Sequence, residues 1–428
     1  MSTPQNLPRP VAIFGGQRIP FCRSVTKYSE LGNKQLMTGA LKALVTQYKL
    51  EGKEIGEVAL GAVLKRSKDF SLARECTIDA GLSFRTPAFD LQKACGTSLE
   101  AAILLGNKIA LGQIDSAIAG GTDTSSDVPI ELSIPLSQKL VQSSKAKGLV
   151  ERVTTFGGLS PKDLVPKVPG VKEPRTKLSM GDHCELMAQE WKIERAEQDK
   201  LAFLSHRNAA NAYEKGFFRD LVSSFHGVDK DNNLRPDTTV EALAKLRPAF
   251  ERSEKGTLTA GNSSALTDGA SAALLGSIEW GRTLNLEPMA FLKDAQSAAI
   301  NYVSEEGLLM APAYAVAKLL ERNKLKLQDF DFYEIHEAFA AQVLCTLAAW
   351  NDDKFCKQRL GLSTKLGEID RSKLNVNGSS IALGHPFAAT GTRVLATAAK
   401  LLKEKGKGRA LISICTAGGM GVTAILER

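Results

Sequence analysis

The chain has 428 residues, 43% of them hydrophobic and 24% charged, with a formal net charge of +8 at pH 7. That length is more than one ordinary core takes, so two or three closely joined units are expected, and the composition is that of a globular protein rather than a disordered one. No recognition motif, basic tail or interleaving of basic and aromatic residues accompanies the charge, which argues against nucleic acid and leaves a general attraction for anionic partners.

Residues 1–9 are polar, contain two prolines and precede no long apolar run. Neither a signal peptide nor a membrane anchor is therefore expected, and no later stretch has the apolar length of a bilayer span. A cytoplasmic location is the default expectation. Apolar spacing then predicts a strand over residues 11–14 ending at Gly15-Gly16, a helix over 35–48 and a strand over 58–63. A strand at 88–91 leads to Cys95, a buried helix follows over 98–111, and residues 117–119 form a strand running into Gly120-Gly121. Mixed elements of this kind make an α/β layer structure.

Residues 126–255 break the rhythm. Between residues 139 and 177 stand nine lysines or arginines against three acids, with four prolines, so this reads as an elaborate loop region. It is either a solvated surface or a site for phosphate groups or a membrane face. Amphipathic helices over 181–191 and 195–215 follow, and the whole is expected to form an inserted layer over a site between two halves. Thr259-Ala260-Gly261-Asn262-Ser263-Ser264 marks the return to the core. Helices over 313–322, 338–350 and 388–402 then alternate with strands over 332–335, 411–414 and 422–426. Ile118-Ala119-Gly120-Gly121 is matched against Cys415-Thr416-Ala417-Gly418-Gly419, which suggests an internal duplication. The expected units are 1–125, 126–255 and 256–428.

Cysteines stand at positions 22, 76, 95, 184, 345, 356 and 415, an odd set without a CxxC or a Cys/His cluster. Reduced thiols are expected, with neither a disulfide framework nor a metal site. Cys95, in Lys93-Ala94-Cys95-Gly96-Thr97-Ser98, falls between a strand and a helix start, where free N–H groups and the helix dipole favour a thiolate. A small core cysteine is the plain alternative. Cys415 ends an apolar run beside glycines whose N–H groups can face a developing negative charge. Of five histidines, His385 is held between Gly384 and Pro386, and His336 lies at a strand end in Ile335-His336-Glu337-Ala338-Phe339. Each is either a structural imidazole or part of a site. Together the four residues point to thiol-based acyl transfer.

In this order the motifs around Cys95, Met180-Gly181-Asp182, Gln198-Asp199, residues 259–268, His336-Glu337-Ala338-Phe339, Gly384-His385-Pro386 and Cys415 to Gly421 span nearly the whole chain. They resemble the thiolase family, nearest its degradative 3-ketoacyl-CoA branch, the acetyl-CoA acyltransferases of fatty-acid β-oxidation. The resemblance implies a duplicated, layered α/β/α/β/α fold with an inserted loop layer. It implies that Cys95 is acylated, that His385 takes its proton, and that Cys415 protonates the departing acetyl-CoA carbanion and then deprotonates CoA. His336 with His385 would face the enolate oxygen, and the N–H groups of Cys95 and Ala417 the tetrahedral intermediate, with Glu337 ordering the centre. Ser264 would lie by the pantetheine arm, and Met180 and His183 near the substrate.

Coenzyme A is implied as co-substrate, with no tightly bound cofactor. A homodimer, a multifunctional hydratase/dehydrogenase subunit in a multienzyme complex and a peripheral membrane contact are implied as partners, the basic loop meeting CoA phosphates or that subunit. Histidine at 336, where many thiolases carry asparagine, argues against a biosynthetic acetoacetyl-CoA enzyme. Ala417 replaces the first of three common glycines and supplies the same N–H provided its φ is negative. The competing readings are a ketoacyl synthase-like condensing enzyme, which does not require Cys415, and a non-catalytic CoA-binding scaffold.

Overall fold

Strand and helix alternation sets out from residue 11 in the computed structural model, which describes residues 8–170 and 172–428; most of the polar stretch at 1–9 lies outside the described residues. The first part runs β1 (Val11–Arg18), β2 (Cys22–Arg23), α1 (Asn33–Gln47), β3 (Glu57–Gly61), α2 (Leu72–Asp79), β4 (Ala88–Leu91), α3 (Thr97–Ala110) and β5 (Ser116–Asp123). The middle carries α4 (Ile134–Lys145), α5 (Leu149–Thr154), α6 (Met180–Glu190), α7 (Arg195–Glu214) and α8 (Val240–Ala244). The last part runs β6 (Thr267–Gly276), α9 (Ile278–Thr283), β7 (Ala290–Ala299), α10 (Ala311–Asn323), β8 (Phe332–Ile335) and α11 (Ala340–Asn351). It closes with α12 (Asp353–Gln358), α13 (Ser380–Leu383), α14 (Thr390–Lys405), β9 (Arg409–Thr416) and β10 (Met420–Glu427).

The strands join in the order β4-β3-β5-β6-β1-β7-β10-β9-β8, with β2 on the side of β6. The two halves meet where β1 pairs antiparallel with β7. Outward from that seam each half repeats one pattern: β6 and β10 lie antiparallel to β1 and β7, β5 and β9 antiparallel to those, then β3 and β8 parallel. This mirrored order is the expected duplication. Its proposed diglycine signature is not part of it. Gly120 and Gly121 lie inside β5, where a Cβ on Gly121 would collide with the Ala388 carbonyl, whereas Gly418 and Gly419 form the β9–β10 turn at φ +77° and +68°. One pair permits close approach and the other a left-handed turn, two different uses of glycine.

β6 starts beyond residue 255 yet pairs with β1 and β5, so the first half is completed after the insertion. α1 and α2 cover one face of this half through Leu36, Leu41, Leu44 and Leu72 against Val58, Leu60 and Leu274. α10 and α11 cover the far face of the other half, where Val316, Leu319 and Val343 meet Leu411 and Ile425. Between the halves, α3 and α14 share one core with Ile13, Ala119 and Leu275 on one side and Ile412, Ile414 and Val422 on the other. The order is therefore helix, sheet, helix, sheet, helix. Strands buried on both faces read as continuous apolar runs, which is why they were legible.

In the insertion, α6 and α7 pack onto the core, while α4 and α5 bury no residue. Among the described residues, no helix is long and apolar enough to cross a membrane.

Candidate active site

Cys95 stands on a tight turn between β4 and α3. Ala94 takes φ +46°, and the Thr97 hydroxyl donates to the Ala94 carbonyl at 2.7 Å while accepting the Lys93 N–H at 2.8 Å. The half-buried thiol lines a cavity. Its sulfur lies 3.2 Å from His385 Nε2, and the backbone N–H of Ala417, on the same cavity, favours its thiolate form. Ala417 has no positive φ, since the left-handed residues of its turn are Gly418 and Gly419. The condition for alanine at this position is met.

His385 is fixed on both sides. Its backbone N–H donates to Thr267 Oγ1 at 2.8 Å, and its Nδ1 lies 2.5 Å from Thr390 Oγ1. For Nε2 to accept the thiol proton, Nδ1 must carry hydrogen, and Thr390 is the acceptor for it. The following turn is tied down by buried Asp123, whose carboxylate accepts N–H groups from Leu64 and Ala388. Burial pushes that carboxyl up to about 7.

His336 lies 4.2 Å from His385, centroid to centroid, with the rings tilted by 48°. Its Nδ1 lies 2.8 Å from Ser380 Oγ, and Arg393 donates to that same oxygen at 2.7 Å. Ser380 Oγ has no acceptor for its own hydrogen other than His336 Nδ1 among the described residues, and the arrangement that uses this hydrogen leaves the proton of His336 on Nε2. Nε2 is buried without a protein partner among the described residues, a donor waiting for an oxygen. Glu337, by contrast, is saturated: Ser205 Oγ and Asn375 Nδ2 each donate at 2.7 Å and the Ile381 N–H at 3.2 Å. It fastens α7 and α13 to the segment after β8 and is not itself placed to receive a substrate proton.

Cys415 ends β9, 1% exposed, and lines the same cavity as Cys95, His385 and Ala417. That cavity measures about 240 Å³ and has walls from Met180, Phe250, Leu266, Phe339 and Phe387, with Ser264 also lining it. His183 is not on it. Its Nε2 bonds Thr176 Oγ1 at 2.7 Å and its ring meets Tyr302, so the turn before α6 holds it away from the space that Met180 lines. A larger open groove of about 870 Å³, beside residues 8–11 and 291–295, holds neither cysteine nor histidine, so size alone does not mark the site.

Electrostatics settle the resting protonation. Burial pushes the Cys95 thiol up to about 12, with the Ala417 N–H opposing, and pushes His385 down to about 3, helped by the charge of Arg393. His336 is held well below its ordinary value by burial, by His385 and by Arg393. Cys415 is held well above its own by burial and by Cys95. The N–H groups at the helix start do favour the thiolate, as expected, but loss of water opposes them more strongly. The pair is a neutral thiol beside a neutral imidazole, suited to moving the proton as sulfur attacks.

The fold brings together a cysteine and two histidines that stand far apart in the sequence. One donor atom each from Cys95, His336 and His385 lies within 4.8 Å of the others. Widely spaced residues gave no such signal in the sequence. Other contributors went unread: Thr267, Ser380 and Arg393 hold the histidines, and Phe250, Leu266 and Phe387 wall the cavity. Only Thr390, five residues after His385 at a helix start, had a local signal.

The thiolase N-terminal domain matches residues 11–279 and the thiolase C-terminal domain residues 286–428. The chain belongs to the thiolase family. The 3-ketoacyl-CoA thiolase of Vibrio cholerae is 41% identical over 423 residues, 97% of each chain. Among solved structures, the Bacillus anthracis acetyl-CoA acetyltransferase superposes with a TM-score of 0.81 at 28% identity, over 99% of this thiolase and 100% of that chain. Human mitochondrial 3-ketoacyl-CoA thiolase in complex with CoA gives 0.81 at 26% identity, over 98% of each.

Proposed function

We propose that this thiolase cleaves 3-ketoacyl-CoA with CoA, giving acetyl-CoA and an acyl-CoA two carbons shorter. The observation that carries the reading is the 3.2 Å contact between Cys95 Sγ and His385 Nε2, on a cavity that Cys415 and Ala417 also line. Cys95 attacks the keto carbon while its proton passes to His385. The N–H groups of Ala417 and Cys95 take the tetrahedral oxyanion, and the protonated Nε2 of His336 takes the enolate oxygen as the carbon–carbon bond breaks. Cys415 protonates that enolate to release acetyl-CoA, then removes the proton of incoming CoA, whose sulfur attacks the acyl-Cys95 thioester. Glu337 positions this machinery, and Ser264 and Met180 contact the pantetheine arm.

The aromatic and aliphatic cavity wall and histidine at 336 support a degradative role over a biosynthetic one. The test is thiolysis of short, medium and long 3-ketoacyl-CoAs. Absence of acetyl-CoA and of the shortened acyl-CoA at every length, from folded protein, returns the chain to a binding scaffold, and strict preference for four carbons removes the degradative assignment.

A homodimer acting in the cytoplasm, joined to a hydratase/dehydrogenase subunit, completes the proposal on the family resemblance. The α4–α5 region supports peripheral contact with an anionic membrane: Ile134, Leu149, Val150 and Val153 are 65–78% exposed beside Lys139, Lys145, Lys147 and Arg152. Sedimentation with anionic vesicles and not with neutral ones is the expected result, and equal recovery with both refutes it.

A further inference from the structure

Within the basic 139–177 segment one acid turns inward. Glu173 is 5% exposed, and its Oε1 accepts the Gly418 N–H at 2.8 Å while its Oε2 accepts the Tyr302 hydroxyl at 3.1 Å. Gly418 immediately follows Ala417, which lines the cavity of Cys95 and whose N–H favours the Cys95 thiolate. The Ala417–Gly418 peptide is held at both ends, because the Thr416 hydroxyl donates to its carbonyl at 3.0 Å as Glu173 receives its N–H. Beyond it, the Ile300 N–H donates to the Gly419 carbonyl at 2.9 Å, and the Tyr302 ring covers Gly419 so closely that a Cβ there would sit 2.6 Å from Cδ1. With β9 fixing Thr416 on the other side, the torsions of Ala417, and so the direction of its N–H, are decided by these contacts.

Glu173 is itself anchored. Its N–H donates to the Leu178 carbonyl and its carbonyl accepts the Lys177 N–H, both at 2.8 Å, which closes a turn leading into α6 and cavity-lining Met180. A carboxylate removed from water and given a backbone N–H and a phenol is expensive to place without purpose, and a charged acceptor makes the stronger kind of hydrogen bond.

We propose that Glu173 is a positioning residue for the acyl-transfer step: it aims the Ala417 N–H at the oxyanion and ties that donor to the inserted segment. The proposal rests on the thiolase reading above. Oxyanion donors are worth about 10²–10³ in rate when removed, so misaiming one is expected to lower thiolysis about tenfold or more.

The experiment compares Glu173→Ala, Glu173→Gln and Tyr302→Phe in the full chain. Glutamine keeps an acceptor for the Gly418 N–H, so Glu173→Gln should retain most of the wild-type kcat, Tyr302→Phe should lose about two- to threefold, and Glu173→Ala about tenfold or more. KM for CoA should stay within about twofold throughout, and iodoacetamide alkylation of Cys95, which forms no oxyanion, within about threefold. Hydrogen exchange of the peptide spanning residues 416–420 should be slow in wild type and Glu173→Gln and fast in Glu173→Ala. The proposal is overturned if Glu173→Gln is as impaired as Glu173→Ala, if alkylation falls in step with thiolysis, or if exchange is unchanged. Should the wild type prove inactive in thiolysis, the functional reading fails, while exchange still decides whether Glu173 sets the turn. If Glu173→Ala does not fold, the kcat of the other two variants carries the decision: a Tyr302→Phe kcat equal to wild type overturns it.

Discussion

Replacing Cys415 by alanine separates the two halves of the proposed reaction. The thiol stands at the end of β9, 1% exposed, on the cavity that Cys95 lines, and burial together with Cys95 holds it protonated. A group kept protonated suits the donor of a proton to an enolate. A general acid or base contributes roughly 10²–10⁴ in rate, or about 3–5 kcal/mol of barrier at 1.36 kcal/mol per tenfold. The substitution removes one sulfur from a packed cluster with Cys184 and Ala338, so the fold should weaken by only about 1–2 kcal/mol. None of the contacts that set Cys95, namely His385 at 3.2 Å and the Ala417 N–H, involves the Cys415 side chain. Thiolysis and acetyl-CoA condensation should therefore fall together by at least a hundredfold. Incubation with an acyl-CoA, read by intact mass, should still show acyl addition to Cys95. Thiolysis at the wild-type rate refutes the role, and loss of acylation with retained fold moves Cys415 into the first step.

Further consequences follow from the buried charges. Since the Cys95 thiol is pushed up to about 12, its thiolate fraction grows throughout the neutral range, so iodoacetamide alkylation should rise with pH from 6 to 9 without levelling; a plateau near neutrality would mean a resting ion pair with His385. Thr390→Val leaves His385 Nδ1–H buried without an acceptor, a loss of about 1–3 kcal/mol that should slow thiolysis roughly ten- to a hundredfold, and an unchanged rate rejects the tautomer assigned here. Glu334, buried on β8 with no hydrogen-bond partner on either oxygen among the described residues, is pushed up to about 8 by burial, with the charge of Arg393 opposing. Its unfolded counterpart ionises near 4.5, so the folded state holds the extra proton between those values and loses stability as pH rises through that window. Thermal melts of Glu334→Gln should lose that decline relative to wild type, by an amount on the order of a few kcal/mol between pH 5 and 9, and parallel curves would deny the shift.

The strands were readable because both faces of each half are covered by helices, leaving long apolar runs such as residues 409–416. β1 was read four residues short, since Gly15 and Gly16 look like a turn but lie in a strand that bulges there. β6 and β7, rich in alanine and serine, carried too little apolar signal to be seen as strands. In the site, Cys95 and His385 stood in local settings of helix start and glycine–proline turn that restrict a backbone. Ser380 and Arg393 had none, and only their approach to His336 gives them meaning.

The layered α/β architecture, the family and the four side chains able to do thiol chemistry were legible along the chain, because each depends on residue type and nearest neighbours. Tertiary structure decided how those side chains are charged and aimed. Burial makes the Cys95 thiol neutral against the pull of a helix start, Arg393 and Ser380 choose the His336 tautomer, and Glu173 from the inserted segment holds the turn beside Ala417. Protonation and direction depend on solvent exclusion and on partners tens to hundreds of positions apart, and neither is written in any local stretch of the chain.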